Sequence, residues 1–394
     1  MAKSSEAHPK NKAKKPYDDF PLTIRTDGRL SKKHHGRVYY FGSIEDWEAA
    51  IERYQNEWPY ILKGRTPPSS DAGDGCTIAH LSNKFLTSKK RKLEAGELSA
   101  RSFQDYYTTC EMLVNTFGKN RHVDDLRPDD FEQLRSQLAK RFGPVTLRTE
   151  ITRCRVMFKY AVTQRLVYRE VYYGDSFARP SKLVIQKAEN KAGPKVFEAD
   201  EIRRIIEAAD PVMRALVLLG LNCGFGNTDC SSLPQSAINF ETGWADFPRP
   251  KTATQRRCPL WPETVKALQE AIALRPKPAD TTNSNLCFLT ARGHKLVRTI
   301  PSKKNPSQFT TVNSLAPKFG AMLKKLRING RRNRGFYTLR HMTETIGGES
   351  KDQVAVDAIM GHSRDDMASV YRERISDERL RAVVDTVRGW LFEK

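Results

Sequence analysis

The residues of this chain that could do chemistry lie toward its C-terminal end. Tyr337-Thr338-Leu339-Arg340-His341 is followed by Ile359-Met360-Gly361-His362-Ser363, and then by Tyr371. Arginine, histidine and tyrosine at these spacings suit the handling of one phosphodiester. A tyrosine oxygen that attacks phosphorus displaces the 5′-oxygen and conserves the bond energy in a covalent phosphotyrosine. Charge then spreads over the non-bridging oxygens, where fixed cationic donors are needed; arginine serves best because its planar fork is bidentate. A general acid must protonate the departing oxygen, and a lysine on a mobile hairpin can do so. No metal or other cofactor is required. Each residue also has an ordinary reading when taken singly: Arg340 in a surface ion pair, His362 as a helix cap, Tyr371 packed on a helix beside Met367 and Val370. Only their joint occurrence points to chemistry.

The composition allows such a role. The 394 residues are too many for one ordinary core and imply two or three domains. Lys and Arg total 67 against 46 Asp and Glu, a formal charge of +21. A surface this positive repels itself unless a polyanion offsets it, so nucleic acid is the leading partner, with a merely basic soluble protein as the plain alternative. No basic segment has a strong apolar face, which disfavours a membrane surface. The seven cysteines form no C-x-x-C pair and several fall on apolar helical positions. They read as reduced, buried thiols, neither a zinc site nor a disulfide framework. With no apolar leader and no run of transmembrane length, the expectation is a soluble cytoplasmic, nucleoid-associated protein.

Several elements must position the constellation. Residues 1–16 form a basic tail too polar to fold. In 17–62 the turn Thr26-Asp27-Gly28-Arg29 and the run Val38-Tyr39-Tyr40-Phe41 predict a β-hairpin, followed by a helix carrying Trp47, Ala50, Ile51 and Tyr54. Its basic residues Lys32, Lys33 and Arg37 are candidates for DNA contact; equally, the unit is a structural mini-domain with an aromatic core. A linker, 63–75, precedes four helices over 76–167. On the fourth, Arg148, Arg153, Arg155 and Lys159 oppose an apolar stripe, either as a solvated face or as phosphate contacts. Residues 168–195 lose periodicity and read as an interdomain linker. From 196 the pattern predicts helices over Ile202–Ala208 and Val212–Leu221, a glycine-rich turn with a helix resuming at Thr228, and strands around Trp244–Phe247 and Arg256–Leu260. Helices over Pro262–Leu274 and Val312–Leu326 follow. The fold class is therefore mainly α with small β-sheets (α+β).

The residues resemble the tyrosine recombinase (phage integrase) family. Leu339-Arg340-His341 is similar to its L-R-H box and Met360-Gly361-His362-Ser363 to its L-G-H-S box. Tyr371, nine residues beyond His362, falls where the family keeps its nucleophile. Lys251, eight residues before Pro259-Leu260, matches the lysine of the family's β-hairpin. The motifs cover 196–394, the expected catalytic domain. The helical region 76–167 resembles the family's core-binding domain, and the N-terminal hairpin its arm-binding domains. The resemblance implies that Arg340 binds the scissile phosphate, His341 supports that pocket, His362 hydrogen-bonds a phosphate oxygen, Lys251 is the general acid and Tyr371 the nucleophile. It further implies a site-specific recombinase or integrase of a mobile element, acting on double-stranded DNA as a homo-oligomer. In such assemblies the C-terminal apolar stripe (Ile375, Leu380, Val383, Val384, Val387, Leu391) docks on a neighbouring protomer.

Two positions depart from the family pattern. In Gly224-Phe225-Gly226-Asn227-Thr228-Asp229, Gly226 stands where the family's first arginine belongs, while Asp229 matches the acidic position. Tyr337 stands where a histidine or lysine is usual; its hydroxyl still donates a hydrogen bond. Loss of a charged transition-state donor costs about 3–4 kcal/mol if nothing replaces it. Arg249, Arg256 and Arg257, on the adjoining hairpin, are the candidate replacements. The alternative is a recombinase-like DNA-binding protein that has lost strand cleavage and acts in structure or regulation.

Overall fold

The computed structural model describes residues 15–62, 75–167, 169–303, 305, 307–328, 334–362 and 374–393. Tyr371, residues 1–14 of the basic tail and residues 63–74 of the first linker lie outside them. Helices dominate, with small antiparallel sheets between them, and three separate apolar cores form along the described chain.

In the first unit, β1 (Thr23–Ile24), β2 (Arg29–His34) and β3 (Arg37–Ser43) pair antiparallel in that order, with α1 (Trp47–Leu62) packed across β3. His35 and Gly36, both at positive φ, make the tight turn between β2 and β3. Strand alternation sends Leu30 and Phe41 inward to Phe20, Leu22, Ala50 and Ile61.

The second core gathers α2 (Ile78–Glu94), α3 (Ala100–Phe117), α4 (Pro128–Arg141) and α5 (Pro144–Thr163). Thr77 and Ser99 cap α2 and α3 through their side chains, while Pro128 and Pro144 open the next two helices at the first turn, where their missing N–H is no loss. This core continues through Phe177, beyond residue 167. The stretch expected to lack periodicity contains α6 (Lys182–Ala192), capped by Ser181 and with no buried residue. Good helix formers between Pro180 and Gly193 suffice for it, and its weak apolar face explains why periodicity did not reveal it.

The third core is built on α8 (Pro211–Asn222), which is buried along nearly its whole length. Around it lie α7 (Ala199–Ala208), α9 (Asn227–Ser232), α10 (Pro262–Ala273), α11 (Leu315–Lys325), α12 (Thr338–Gly347), α13 (Gln353–Met360) and α14 (Asp377–Phe392). One small sheet orders β4 (Ile238–Asn239), β5 (Trp244–Asp246) and β6 (Arg257–Pro259). A second pairs β7 (Val297–Pro301) with β8 (Phe309–Asn313). Here the helix expected from Val312 starts later. Phe309-Thr310-Thr311-Val312 forms a strand, as its β-branched residues favour, and the Asn313 side chain accepts from the Leu315 and Ala316 amides at 3.0 Å to open α11.

In this single chain the C-terminal stripe packs on its own domain. Leu380, Val383, Val384, Val387 and Leu391 are buried in the domain's own core. Trp261 Nε1 donates to the Val384 carbonyl at 2.9 Å, Arg388 chelates Glu263, and Arg379 chelates Asp352 at 2.6 and 2.8 Å. The stripe's apolar surface is covered within one chain.

The second and third cores meet where α3 touches β8. Phe309 N donates to Gln104 Oε1 at 2.7 Å, Asn305 Nδ2 to Tyr107 Oη at 3.2 Å, and the Phe103 and Phe309 rings pack edge to face at 5.8 Å. All seven cysteines are buried and unpaired, as their apolar positions suggest. Burial pushes the Cys110 and Cys287 thiols up to about 12, which makes them unreactive near neutrality. Among the described residues no helix is long and apolar enough to cross a membrane.

Candidate active site

The site forms where α8, α12, α13 and the β5–β6 hairpin converge. α12 lies against α8 so closely that a Cβ on Gly220 would sit 2.9 Å from Leu339 Cδ1. Thr343 Oγ1, 2.8 Å from the Leu221 carbonyl, ties the two helices further. α8 ends at Cys223, and Gly224 follows at φ 63°, a left-handed turn that suits glycine. α13 ends the same way, with Gly361 at φ 63°. Both turns leave a backbone carbonyl facing the space between the helices.

Arg340 fills that space. It is 3% exposed; its Nη1 donates to the Gly224 carbonyl and its Nη2 to the Met360 carbonyl, each at 2.6 Å. Nη2 also lies 3.0 Å from His362 Nε2. A guanidinium only donates, so Nε2 accepts and the imidazole proton sits on Nδ1. That nitrogen faces Glu344 Oε2 at 3.5 Å and Asp357 Oδ1 at 3.6 Å. Among the described residues no carboxylate binds Arg340. Burial, and after it the charge of Arg249, pulls the Arg340 guanidinium below its ordinary value. A buried cation held by neutral carbonyls suits a phosphate, which would supply the missing negative charge.

The hairpin brings the other arginines. Successive residues point to opposite faces, and here Arg256 turns inward with Cys258 while Arg257 turns out. Arg257 lies 4.0 Å over the Trp244 ring and pairs with Asp377 and Asp246, away from Arg340. Arg256 is 4% exposed: Nε donates to the Phe247 carbonyl at 3.0 Å, Nη2 to Asp229 Oδ1 at 2.8 Å, and Nη1 has no partner among the described residues. Asp229 also accepts from the Gly226 amide at 2.8 Å, capping α9. Arg249 donates to the Gly361 carbonyl at 3.2 Å. Lys251 is exposed at the turn between the strands, where Thr252 N and Ala253 N donate to the Arg249 carbonyl.

Tyr337 is half exposed, and its ring covers Gly226: a Cβ there would lie 3.0 Å from Tyr337 Cε2. His341 packs edge to face on Tyr337 at 5.3 Å, on the exposed side of α12 and apart from Arg340's hydrogen bonds. Burial, then Lys195 and Arg340, lowers its imidazole from the ordinary value. Tyr371 lies outside the described residues; the chain is described up to His362 and again from Arg374, which lines an open cavity of about 460 Å³ with Arg256 and Arg257.

The remaining candidates divide by their contacts. On α5, Arg148 and Lys159 are exposed, but Arg153 pairs with Asp105 and Glu150, and Arg155 donates to the Phe177 carbonyl at 2.7 Å. On the hairpin, Lys33 and Arg37 are exposed, while Lys32 donates to Tyr54 Oη at 2.7 Å. Sequence reasoning missed Glu344 and Asp357 beneath His362. Glu344 stands four residues beyond Arg340 and so on the same face of α12, a legible signal. These two with His362 are the group among the described residues that could hold a metal ion, their ligand atoms lying within 4.8 Å of one another. An ion on Nδ1 would sit opposite the Arg340 guanidinium, which already occupies Nε2.

Comparison with known proteins bears on this geometry. Residues 195–377 match the model of the phage integrase family. A solved structure of the Tn1549 transposon integrase in complex with transposon right end DNA is similar, at 15% identity and a TM-score of 0.56, covering 79% of this chain and 100% of that one. A lambda integrase dimer bound to a COC′ core site gives 14% identity and a TM-score of 0.58, covering 93% and 99%. A lambda integrase tetramer bound to a Holliday junction gives 15% and 0.53, covering 92% and 98%. No curated protein sequence matches. Residues 195–377 are thus similar to the phage integrase family, and the fold is similar to that of these integrases.

Proposed function

We propose that this protein is a site-specific recombinase that cuts and rejoins double-stranded DNA through a 3′-phosphotyrosine. The observation that carries this reading is Arg340: a buried guanidinium fixed by two carbonyls, beside His362, with no carboxylate hydrogen-bonded to it among the described residues. Arg340 and His362 hold the scissile phosphate and stabilise the charge on its non-bridging oxygens. The Tyr371 oxygen bonds to phosphorus as the bond from phosphorus to the 5′-oxygen breaks, and Lys251 protonates the leaving oxygen. Rejoining reverses the step, the 5′-hydroxyl displacing tyrosine. His341 and Tyr337 border the site and orient one another. The units over 17–62, 76–167 and 196–394 act as arm-type, core-binding and catalytic domains. Arg148, Lys159, Lys33 and Arg37 contact DNA phosphates on their exposed faces, whereas Arg153, Arg155 and Lys32 brace the fold. The protein acts in the cytoplasm as a homo-oligomer on DNA. An assembly that used α14 in trans would first have to lift that helix from its own core.

A second reading follows from one specific feature. Gly226 carries no side chain and Tyr337 covers it, which suits a protein that binds DNA without cleaving it. The test separates the two. DNA flanking the gene, or a site selected from a random library, is nicked near the cleavage position and incubated with wild type and Tyr371→Phe without added metal. A covalent protein–DNA band in wild type alone supports the recombinase. Tight binding by both, with no covalent band at the selected site, supports the non-cleaving protein.

A further inference from the structure

The site holds more buried positive charge than its hydrogen bonds use. Arg256 shares the space beside Arg340, and its charge is among those that lower the Arg340 guanidinium. Its stem runs so close to Gly361 that a Cβ there would meet Arg256 Cδ at 2.6 Å. Its guanidinium lies 4.5 Å over the Phe225 ring and is tethered by Asp229, the residue that also caps the Gly226 turn. One end of this arginine thus touches the turn before His362 and the other reaches the turn at Gly226. Nη1 is buried and has no hydrogen-bond partner among the described residues. A dry donor of this kind costs about 1–3 kcal/mol until a partner arrives, and charged donors cost more.

We propose that Arg256, entering from the β-hairpin, is the second catalytic cation of this site and does the work of the arginine absent at Gly226, donating Nη1 to the scissile phosphate. The inference rests on the recombinase reading. Arg257 is spent on Trp244 and two aspartates, and Arg249 is only partly buried, its described hydrogen bond going to the Gly361 carbonyl. Asp229 fixes the Arg256 fork and leaves one donor over. The arrangement moves the cation from the turn to the hairpin while keeping its carboxylate partner.

The experiment begins with the selected DNA site and full-length protein. If wild type forms no covalent adduct there, the recombinase reading itself fails and this proposal with it. Where wild type cleaves, Arg256→Met, Arg256→Lys, Arg249→Ala and Arg257→Ala are compared in single-turnover cleavage, with DNA affinity and thermal midpoint measured on each. Arg256→Met keeps the stem and is expected to lose about a hundredfold to a thousandfold in cleavage, with affinity nearly unchanged. Arg257→Ala should cleave like wild type. A second substrate carries a neutral methylphosphonate at the scissile position, where a cation has less charge to stabilise. The ratio of methylphosphonate to phosphate cleavage should rise about tenfold or more in Arg256→Met relative to wild type, which a merely structural role would not produce. Should Arg256→Met not fold, the same ratio measured on Arg256→Lys decides. Near-wild-type cleavage by Arg256→Met, an unchanged ratio, or a larger loss in Arg249→Ala overturns the proposal.

Discussion

Arg340 is placed where its charge is strongest and its geometry least free. Its two terminal nitrogens hold carbonyls from two different helix ends, so its position reports the approach of α8 and α13 as well as its own helix. Lysine at this position keeps the charge but loses the planar fork whose two ends hold the two carbonyls. Arg340→Lys is therefore expected to slow single-turnover cleavage about a hundredfold while DNA affinity, set by many phosphate contacts, changes little. Equal cleavage by the variant would show that the fork is unnecessary. His362 depends on the same arrangement, since Arg340 determines which of its nitrogens carries the proton.

At the level of elements, the site depends on how helices end. Gly361 stops α13 in the left-handed region and lies against Arg256 and Arg249. Gly361→Ala combines a strain of about 1–2 kcal/mol with displacement of the Arg256 stem, so it should lower the thermal midpoint and cleavage together. Proportionate loss of stability alone, with normal cleavage, would separate the turn from the chemistry. α14 is held by ion pairs whose response to pH has a definite sign. The Arg379 guanidinium holds the Asp352 carboxyl below its ordinary range, and Arg388 does the same to Glu263. A depressed carboxyl stabilises the fold above its unfolded value, near pH 4, and that contribution is lost as pH falls through the folded value. Amide exchange in α14 should therefore accelerate below about pH 4 before it does in α8, which has no such pairs in its core-facing length. Arg388→Met should move that loosening to neutral pH.

Across the molecule, the contact between α3 and β8 joins the second core to the third. The edge-to-face pair of Phe103 and Phe309 is worth about 0.5–1.5 kcal/mol, and two hydrogen bonds accompany it. Phe309→Ala should loosen the two bodies without unfolding either. Small-angle scattering would then give a larger radius of gyration in the absence of DNA at an unchanged thermal midpoint. An unchanged radius would mean that the connection through residues 168–195, including α6, already sets the relative position.

The sequence by itself determined the helical periodicities, the first-turn proline at Pro128, the turn at Asp27-Gly28, the buried cysteines and the boxes around Arg340 and His362. These are local: side-chain spacing, capping chemistry and backbone freedom act within a few residues. It also showed that an arginine was absent at Gly226 and that three stood nearby. It was silent on which of the three faces the site, because that depends on how the hairpin sits on α8 and α13. Cys258 held a partial clue, since a buried residue two positions on places Arg256 on the inward face. The strand at Phe309–Asn313 was legible in its β-branched residues and pairs with the nearby Val297–Pro301, whereas the cover of α14 was decided by tertiary packing, because burial of an apolar stripe requires partners far away in the chain. So were the carboxylates under His362, which come from two helices that only the folded chain brings together.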